Sequence, residues 1–384
     1  MIASRIDSLF PSGIRAVMAM ARERAASGLP VLHMEVGEPH FPTPTHIVEA
    51  AAEAARKGLT GYTPNAGVEG LRQAVADRVK ERNGIAVEME NVCITSGAVM
   101  GLFLALMAVI EPGDEVLVPD PGWPNYLSSV SLAGGLSVRY QLRSESRYTL
   151  ELGELASRVS PRTRAIIVNF PGNPTGGVIS RERMRELVRF ADEHDLYVIS
   201  DEVYEDFVFA GGSHHSVLGD GLGDRLIMVS GASKSYSMTG WRIGWMVSQR
   251  PIIDAAVRLV EPLTSCPSSL SQVAAEAALR GPQDCVTEMR ESYEQASRHV
   301  NNVLGPAGLL PSVPAGAFYA LVNVASSGIG LDFSTRLLRE RGVAVAPGST
   351  FGPTSSGSIR ISTAMESADL IRGCTIIKDF AAAQ

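Results

Sequence analysis

Residues 230–245 read S-G-A-S-K-S-Y-S-M-T-G-W-R-I-G-W, with Lys234 in the first half and Arg242 in the second. Apolar runs at 226–230 and 242–247 predict two short strands of a buried sheet, joined by a tight loop that carries the lysine. The stretch contains no acidic residue. Burial near a cation lowers the pKa of a lysine and leaves a nucleophilic amine, which Schiff-base chemistry requires. The guanidinium of Arg242 suits a phosphate. An ordinary loop lysine beside a strand-edge arginine is the alternative interpretation.

The composition indicates a globular protein with a large core. The chain has 384 residues, of which 45% are hydrophobic, and a formal net charge of −7. Its basic residues are dispersed, which argues against binding to nucleic acid or to an anionic membrane surface. The four cysteines include no C-x-x-C pair, so neither a disulfide framework nor a zinc site is indicated. The N-terminus lacks the apolar core of a signal peptide, and the apolar run 98–110 is too short for a membrane span, so we expect a cytoplasmic protein.

From residue 91 onwards, apolar runs alternate with helical patterns. The candidate strands are 92–95, 115–120, 137–142, 165–170, 197–202, 226–230 and 242–247. Near-continuous apolar strands separated by helices predict an α/β domain whose seven-stranded, mostly parallel sheet is buried on both faces by helices. Ligands of such sheets bind at the carboxyl ends of the strands.

The C-terminal part of the chain predicts a second, smaller α+β domain. Apolar strands at 317–324, 343–347 and 358–363 are interleaved with helices and follow a long polar helix over about 283–304. Near the N-terminus, Ser12 is expected to cap a helix. The predicted division is therefore an N-terminal segment, which joins the small domain, a large domain and a small C-terminal domain, over residues 1–40, 41–280 and 281–384.

Several strand ends carry polar residues. Ser96, Gly97 and Ala98 close a strand and open a helix, and the free N–H groups there form an anion site or an ordinary turn. Asn173 precedes a proline in a turn, which is most simply structural. Asp201 follows a buried strand, and a buried carboxylate needs a positive partner. A protonated pyridine nitrogen or an arginine would meet that need.

Three further features have both a functional and a structural interpretation. Trp123 lies between glycine and proline and is either a core residue or a stacking surface. Arg360 lies inside the apolar strand S-I-R-I-S-T, where its guanidinium matches a carboxylate ligand or an internal salt bridge. The pair His214–His215 has no third ligand at metal spacing, so we interpret it as part of a loop and predict no metal site.

Taken together, these blocks resemble the class I/II aminotransferases, which are pyridoxal-phosphate (PLP) enzymes of the aspartate aminotransferase fold, fold type I. The resemblance extends over nearly the whole chain. Its blocks, in order, are V-G-E-P-H-F-P-T-P, G-Y-T-P-N-A-G, S-G-A, P-G-W-P-N-Y, N-F-P-G-N-P-T-G, S-D-E-V-Y, S-K-S-Y-S-M-T-G-W-R-I-G and I-R-I-S. Their order and spacing are far more specific than any one block alone.

The resemblance implies a role for each matching residue around the cofactor ring. Lys234 would be the lysine that binds PLP covalently, and Asp201 would keep the ring nitrogen protonated. Tyr204 and Asn173 would donate hydrogen bonds to the phenolic oxygen, and Trp123 would stack on the ring.

It also implies how phosphate and substrate are held. The phosphate would be bound by Ser96, Gly97, Ala98, Ser233 and Arg242. Tyr62 would reach the phosphate of a neighbouring subunit, which implies a homodimer. Gly37 would contact the substrate through its backbone, Asn173 would lie beside it, and Arg360 would grip the α-carboxylate.

The activity implied is ping-pong transamination from an L-amino acid to a 2-oxo acid. Some aspartate enzymes of this family carry a lysine just after the phosphate turn, where this chain has Val99 and Met100. We therefore expect an apolar or broad range of donors. The alternatives are an aspartate-type aminotransferase and a carbon–sulfur β-lyase of the same fold. A regulatory binding module is a further alternative, but the chain has no basic DNA-binding extension.

Overall fold

A computed structural model describes Ile6, Leu9 and residues 13–327 and 329–383 of the chain. Ser12, the expected helix cap, lies outside the described residues. None of the described helices combines the length and the apolar character needed to cross a membrane.

The structure contains thirteen α-helices and twelve strands within the described residues. The helices are α1 (Gly13–Ala26), α2 (Thr45–Arg56), α3 (Glu69–Asn83), α4 (Ala98–Val109), α5 (Asn125–Leu132), α6 (Leu152–Ala156), α7 (Arg181–Glu193), α8 (Ala232–Ser235), α9 (Arg250–Thr264), α10 (Ser269–Arg280), α11 (Asp284–Leu304), α12 (Gly330–Arg341) and α13 (Ser367–Ala382). The strands are β1 (Leu32–His33), β2 (Val92–Thr95), β3 (Glu115–Asp120), β4 (Leu136–Gln141), β5 (Thr163–Asn169), β6 (Tyr197–Asp201), β7 (Leu226–Gly231), β8 (Gly244–Val247), β9 (Tyr319–Asn323), β10 (Val343–Ala344), β11 (Ala346–Pro347) and β12 (Ser358–Ser362).

The predicted seven-stranded sheet is confirmed. Its strand order is β2-β8-β7-β6-β5-β3-β4, with β8 antiparallel to both neighbours and the other six strands parallel to one another. The residues of β2, β3, β7 and β8 are all buried, because helices cover both faces of the sheet. Only β4, at one edge, has an exposed start.

Two predicted strands differ from the structure. The run 242–247 becomes a strand only at Gly244, because Arg242 has a φ of 53°, in the left-handed region that no regular strand adopts. The run 343–347 divides into β10 and β11, which pair with different partners. The helix α6 and the strand β1 were not predicted, since segments of five and two residues are too short for a periodic signal.

We propose the predicted division of the chain into a large unit and a smaller one built from both termini. The smaller unit has its own antiparallel sheet, in the order β11-β12-β9. Leu32 and His33 of the N-terminal segment pair with Val343 and Ala344. An apolar core separate from that of the large sheet consists of Met34 and residues between 296 and 380. These contacts support joining the N-terminal segment to the C-terminal unit.

The topology brings separate parts of the sequence to one edge of the large sheet. The parallel strands β5, β6 and β7 are neighbours in the sheet, and the antiparallel β8 separates β7 from the parallel β2. The carboxyl ends of these four parallel strands therefore lie at one edge of the sheet. They are followed in turn by Ser96, Phe170, Glu202 and Ala232. The segments that carry most of the predicted site residues therefore leave the sheet at the same edge.

Candidate active site

A cavity of about 380 Å³ opens at this edge, and both units contribute to its wall. The large unit contributes Ala98, Trp123, Asn173, Asp201 and Tyr204, together with the segment that carries Ser233, Lys234 and Arg242. The N-terminal segment contributes Gly37, and the small sheet contributes Arg360. Three predicted residues are not among those that line it, namely Ser96, Gly97 and Tyr62. Most of the predicted site residues thus meet in one place.

Lys234 lies on α8, a helix of four residues, and not on the loop predicted from the sequence. Its Nζ donates a hydrogen bond to the carbonyl oxygen of Gly37 at 2.7 Å. Burial is the main reason that its pKa falls from 10.5 to about 8; Glu38 opposes this decrease and Arg360 adds to it. Near neutral pH, about a tenth of the side chain is therefore the unprotonated amine that a nucleophile or a base must be, far more than for an ordinary lysine.

Asp201 is the last residue of β6 and is 6% exposed. The hydroxyl of Tyr126 donates to its Oδ2 at 2.7 Å, and the Val203 N–H points to its Oδ1 at 3.4 Å. Burial raises the pKa of this carboxyl to about 6, although both hydrogen bonds lower it. No arginine or lysine of the described chain forms an ion pair with Asp201. The alternative interpretation, in which an arginine neutralises this carboxylate, therefore does not hold within the described chain. A cation entering the cavity would hold the carboxylate ionised.

Arg360 lies in β12 and is 2% exposed. It donates to the side-chain oxygen of Asn173 at 3.2 Å and to the backbone oxygen of Glu35. Its guanidinium carbon lies 4.5 Å from the centre of the Tyr319 ring, and its Nε has no partner among the described residues. No carboxylate of the described chain forms a salt bridge with it. A buried guanidinium with spare donors is suited to a planar carboxylate ligand.

Hydrogen bonds between side chains hold the remaining polar groups in place. The hydroxyls of Tyr204 and Tyr319 lie 2.9 Å apart, and burial raises the pKa of both well above the physiological range, so both stay neutral donors. The side chain of Asn169 accepts from the N–H of Asn173 at 2.8 Å and donates to the Asp201 carbonyl at 2.9 Å. The amide of Asn173 is thereby held beside Arg360.

The predicted anion site lies at the start of α4. Gly97 has a φ of 83°, and a Cβ at this position would collide with the guanidinium of Arg242. The same guanidinium donates to the Thr239 carbonyl at 2.8 Å. A helix N-terminus that faces an arginine across a glycine leaves room for a phosphate and supplies both N–H groups and charge.

The arrangement fits PLP. The buried lysine with its lowered pKa matches the aldehyde of PLP. The buried carboxylate, which has no cationic partner in the described chain, matches the pyridine nitrogen, and the glycine and arginine at the start of α4 match the phosphate. Lys234, Asp201 and Arg242 would hold these three groups, and Arg360 remains available for a substrate carboxylate.

Sequence reasoning missed Tyr126 and Tyr319. Tyr126 is three residues after Trp123, and the rings pack edge to face with centroids 5.5 Å apart. The helical spacing within P-G-W-P-N-Y could have indicated it. Tyr319 lies in an apolar strand, and no local signal separates it from a core tyrosine.

The lowered pKa of Lys234 leads to a prediction that requires no turnover. In cofactor-free protein, the rate of acylation of Lys234 should rise with pH through a midpoint of about 8, because only the unprotonated amine reacts. Peptide mass spectrometry after brief labelling at a series of pH values measures this rate, with Lys234→Ala as the control for peptide assignment. A midpoint above pH 10 would contradict the burial argument.

Comparison with known proteins identifies the family of the chain. Residues 30–377 match the family model of class I and II aminotransferases. An aromatic-amino-acid aminotransferase of Thermococcus litoralis is 38% identical over 94% of both chains, and the aspartate aminotransferase of Bacillus subtilis is 35% identical over 95% of both. The solved aspartate aminotransferase of Rhizobium meliloti has a TM-score of 0.94 and 36% identity, covering 100% of this chain and 99% of its own. This chain therefore belongs to the class I and II aminotransferases and is a PLP-dependent transaminase.

Proposed function

We propose that this aminotransferase takes the amino group from L-amino acids with apolar side chains, or from a broad range that includes them, and passes it to a 2-oxo acid. The supporting observation is the set of cations around the cavity. Within the described residues, the lining cations are Lys234, Arg242 and Arg360. Each has an assigned role: Lys234 supplies the reactive amine, Arg242 binds the cofactor phosphate, and Arg360 binds the α-carboxylate of the substrate. No lining cation of this chain remains for a second substrate carboxylate.

The rest of the cavity wall also suits an apolar side chain. Ile14, Val36, Val99 and the ring of Tyr319 line it. The side chain of Glu35 is 1% exposed; its Oε1 lies 2.8 Å from Nδ1 of His33, and its Oε2 has no partner among the described residues. A second carboxylate on the substrate would be desolvated near this carboxylate, which is unfavourable.

An aspartate donor is the second candidate. It is favoured by the names of several relatives, such as the aspartate aminotransferases of Bacillus subtilis and Rhizobium meliloti. In that case, the side-chain carboxylate would need a cation from a second subunit, since the lining residues of this chain provide none.

The proposed roles of the site residues follow from their positions. Arg360 binds the α-carboxylate of the amino acid and so orients its Cα–H bond towards the cavity. The amine of Lys234 takes that proton as a general base and releases it again in the same half-reaction. When bound, PLP supplies the electron sink for the resulting negative charge. Asp201 would hold a proton on the ring nitrogen of the cofactor, and Tyr204 and Asn173 would donate to its phenolic oxygen.

The remaining assignments concern the cofactor's surroundings. Trp123 provides a stacking surface, Gly37 contacts the substrate through its backbone, and Asn173 also borders the substrate. The phosphate is bound by Ser96, Gly97, Ala98, Ser233 and Arg242.

We further propose a homodimer in which Tyr62 reaches the active site of the neighbouring subunit. Tyr62 is 91% exposed and makes no contact with the cavity of its own chain. It lies in a turn whose Thr63 N–H contacts the sulfur of Cys266 at 3.5 Å. A tyrosine held this far out of the protein surface suits a role at an interface.

The donor preference can be measured directly. We expect kcat/KM for leucine, methionine and phenylalanine to exceed that for aspartate by at least about tenfold, corresponding to about 1.4 kcal/mol of transition-state binding. Steady-state assays with one donor at a time and excess 2-oxoglutarate give these values. A kcat/KM for aspartate equal to or above those of the apolar donors would favour the aspartate alternative.

The role of Lys234 has its own test. The variant Lys234→Ala should fold and bind PLP noncovalently but lose the visible absorbance of the lysine-bound cofactor. Its turnover should fall by at least about 10⁴-fold, since both the attachment and the general base are lost. Lys57→Ala, at a side chain that is 66% exposed, serves as the matched control and should retain both properties. Full activity in Lys234→Ala would rule out the assignment.

Mixed dimers test the role of Tyr62. The Lys234→Ala and Tyr62→Ala variants are mixed in equal amounts and allowed to exchange subunits. Half of the dimers should then be hybrids, and one of the two sites in each hybrid should have both side chains intact. About a quarter of all sites should therefore bind PLP with wild-type affinity and turn over. If mass spectrometry shows hybrids but no wild-type sites appear, Tyr62 acts within its own subunit; if half of all sites behave as wild type, Tyr62 has no role in the site.

A further inference from the structure

A group of buried ionised side chains lies directly behind the cofactor-facing residues. The turn after β6 contributes Glu202, Glu205 and Asp206, which are at most 8% exposed. Arg78 and Arg82 of α3 form ion pairs with Glu205 and Asp206. We call these five residues, together with His214, the ion network. No step of transamination described above uses them.

His214 occupies a specific position in the ion network. Its Nε2 lies 2.8 Å from Oε2 of Glu202, and its side chain is 10% exposed. The other carboxylate oxygen of Glu202 accepts from Ser216 Oγ at 3.1 Å and from the Val217 N–H at 2.9 Å. Glu202 itself is fully buried and has no arginine within ion-pair distance in the described structure. His214 is therefore the group able to supply it with a positive charge.

The sequence-based interpretation of the histidine pair as a plain loop is thus incomplete. Ligand atoms of Glu202, Glu205 and His214 lie within 4.8 Å of one another, a spacing that would suit a metal ion. However, both oxygens of Glu202 already accept internal hydrogen bonds, and the guanidiniums of Arg78 and Arg82 contact Glu205. Two positive charges beside occupied carboxylates disfavour a cation, and the geometry points to an internal ion network.

The charges of the ion network balance only when His214 is protonated. Three carboxylates face two guanidiniums, so a neutral histidine leaves one uncompensated negative charge in a buried region. Burial alone would lower the pKa of His214, but the charge of Glu202 and the hydrogen bond to it outweigh burial, and the pKa is raised above 6.5. Glu205 adds to this increase and Arg82 opposes it.

The ion network joins the two segments that carry the reacting groups. Glu205 accepts from Ser230 Oγ at 3.2 Å, at the end of β7 just before α8. The Glu202 N–H donates to the Val229 carbonyl at 2.8 Å. On the other side of Lys234, the hydroxyl of Tyr236 accepts from Arg78 at 3.2 Å. The turn that begins at Asp201 is therefore held against the residues on both sides of Lys234.

We propose that His214 is a positioning residue of the transamination site: by binding Glu202 it holds the 201–206 turn, and with it Asp201 and Tyr204, in register with Lys234. The proposal rests on the proposed roles of Asp201 and Lys234. His214 itself touches neither cofactor nor substrate. It acts through the adjacent carboxylate and the peptide that connects it to Asp201.

The test compares two substitutions at one position. His214→Leu removes the hydrogen bond and the charge, whereas His214→Gln keeps an N–H donor near the former Nε2 but cannot be protonated. In His214→Leu, the PLP dissociation constant of cofactor-free protein, measured by fluorescence titration, should rise about tenfold, as is typical when a supporting group is lost. The kcat should fall by a similar factor, while KM for the amino acid stays within about twofold. His214→Gln should restore most of both at neutral pH.

A pH series separates the charge from the hydrogen bond. The groups facing His214 are Glu202 and Glu205 from the turn, Arg82 from α3, His215 from its own loop, and Arg181, Arg185, Arg189 and Asp220 across a second cavity. Because the folded-state pKa is raised, the stabilisation by protonated His214 is complete below pH 6.5 and is lost as pH rises through the folded value. The Tm of wild type should therefore exceed that of His214→Gln most at pH 6, and the difference should shrink towards pH 9.

His215→Gln is the matched control, because His215 is adjacent in sequence but makes no contact with Glu202. It should leave PLP affinity and kcat unchanged. If His214→Leu folds and binds PLP as wild type does, or if His214→Gln loses as much affinity as His214→Leu, the positioning role is overturned. Asp201→Asn tells the two proposals apart: unchanged PLP affinity in that variant contradicts the proposed site, whereas weaker binding there with normal His214→Leu contradicts only the positioning role.

Discussion

Burial of charge without internal neutralisation is the constraint on which the active site depends. Lys234, Asp201 and Arg360 lie in one cavity, yet within the described structure none of them forms a salt bridge with another residue. Such groups are costly to bury, and burial lowers the pKa of Lys234 and raises the pKa of Asp201. Their ligands of opposite charge are the cofactor and the substrate, which makes binding of both favourable.

The cost of this arrangement is offset by the rest of the fold. Neutral hydrogen bonds hold the charged groups: Tyr126 donates to Asp201, Gly37 accepts from Lys234, and Asn173 accepts from Arg360. Two of these contacts, to Gly37 and from Arg360, join the smaller unit to the large one, so the N-terminal segment and the small sheet close the site that the large sheet opens. A buried ion network behind the site adds rigidity to the turn that carries Asp201.

Much of the fold could be predicted, because its signals are local. The strands at 92–95 and 115–120 begin and end where the apolar pattern does. Lys234 and Arg242 were identified from their own neighbours, but the short helix around the lysine and the left-handed backbone at Arg242 were not. Both depend on how the chain turns to fit between two strands, and such turns leave little trace in hydrophobic periodicity. The partnership of His214 with Glu202 spans twelve residues and has no sequence pattern.

By itself, the sequence determined the fold class, the seven sheet strands, the lysine and the motif order that identifies the aminotransferase family. These follow from residue type and from spacing along the chain, which are local quantities. The tertiary structure alone decided that Tyr319 meets Tyr204, that Arg360 has no carboxylate partner within the described chain, and that His214 lies behind Asp201. Those facts depend on distances between residues that are separated along the chain, and only the packing of the folded chain sets such distances.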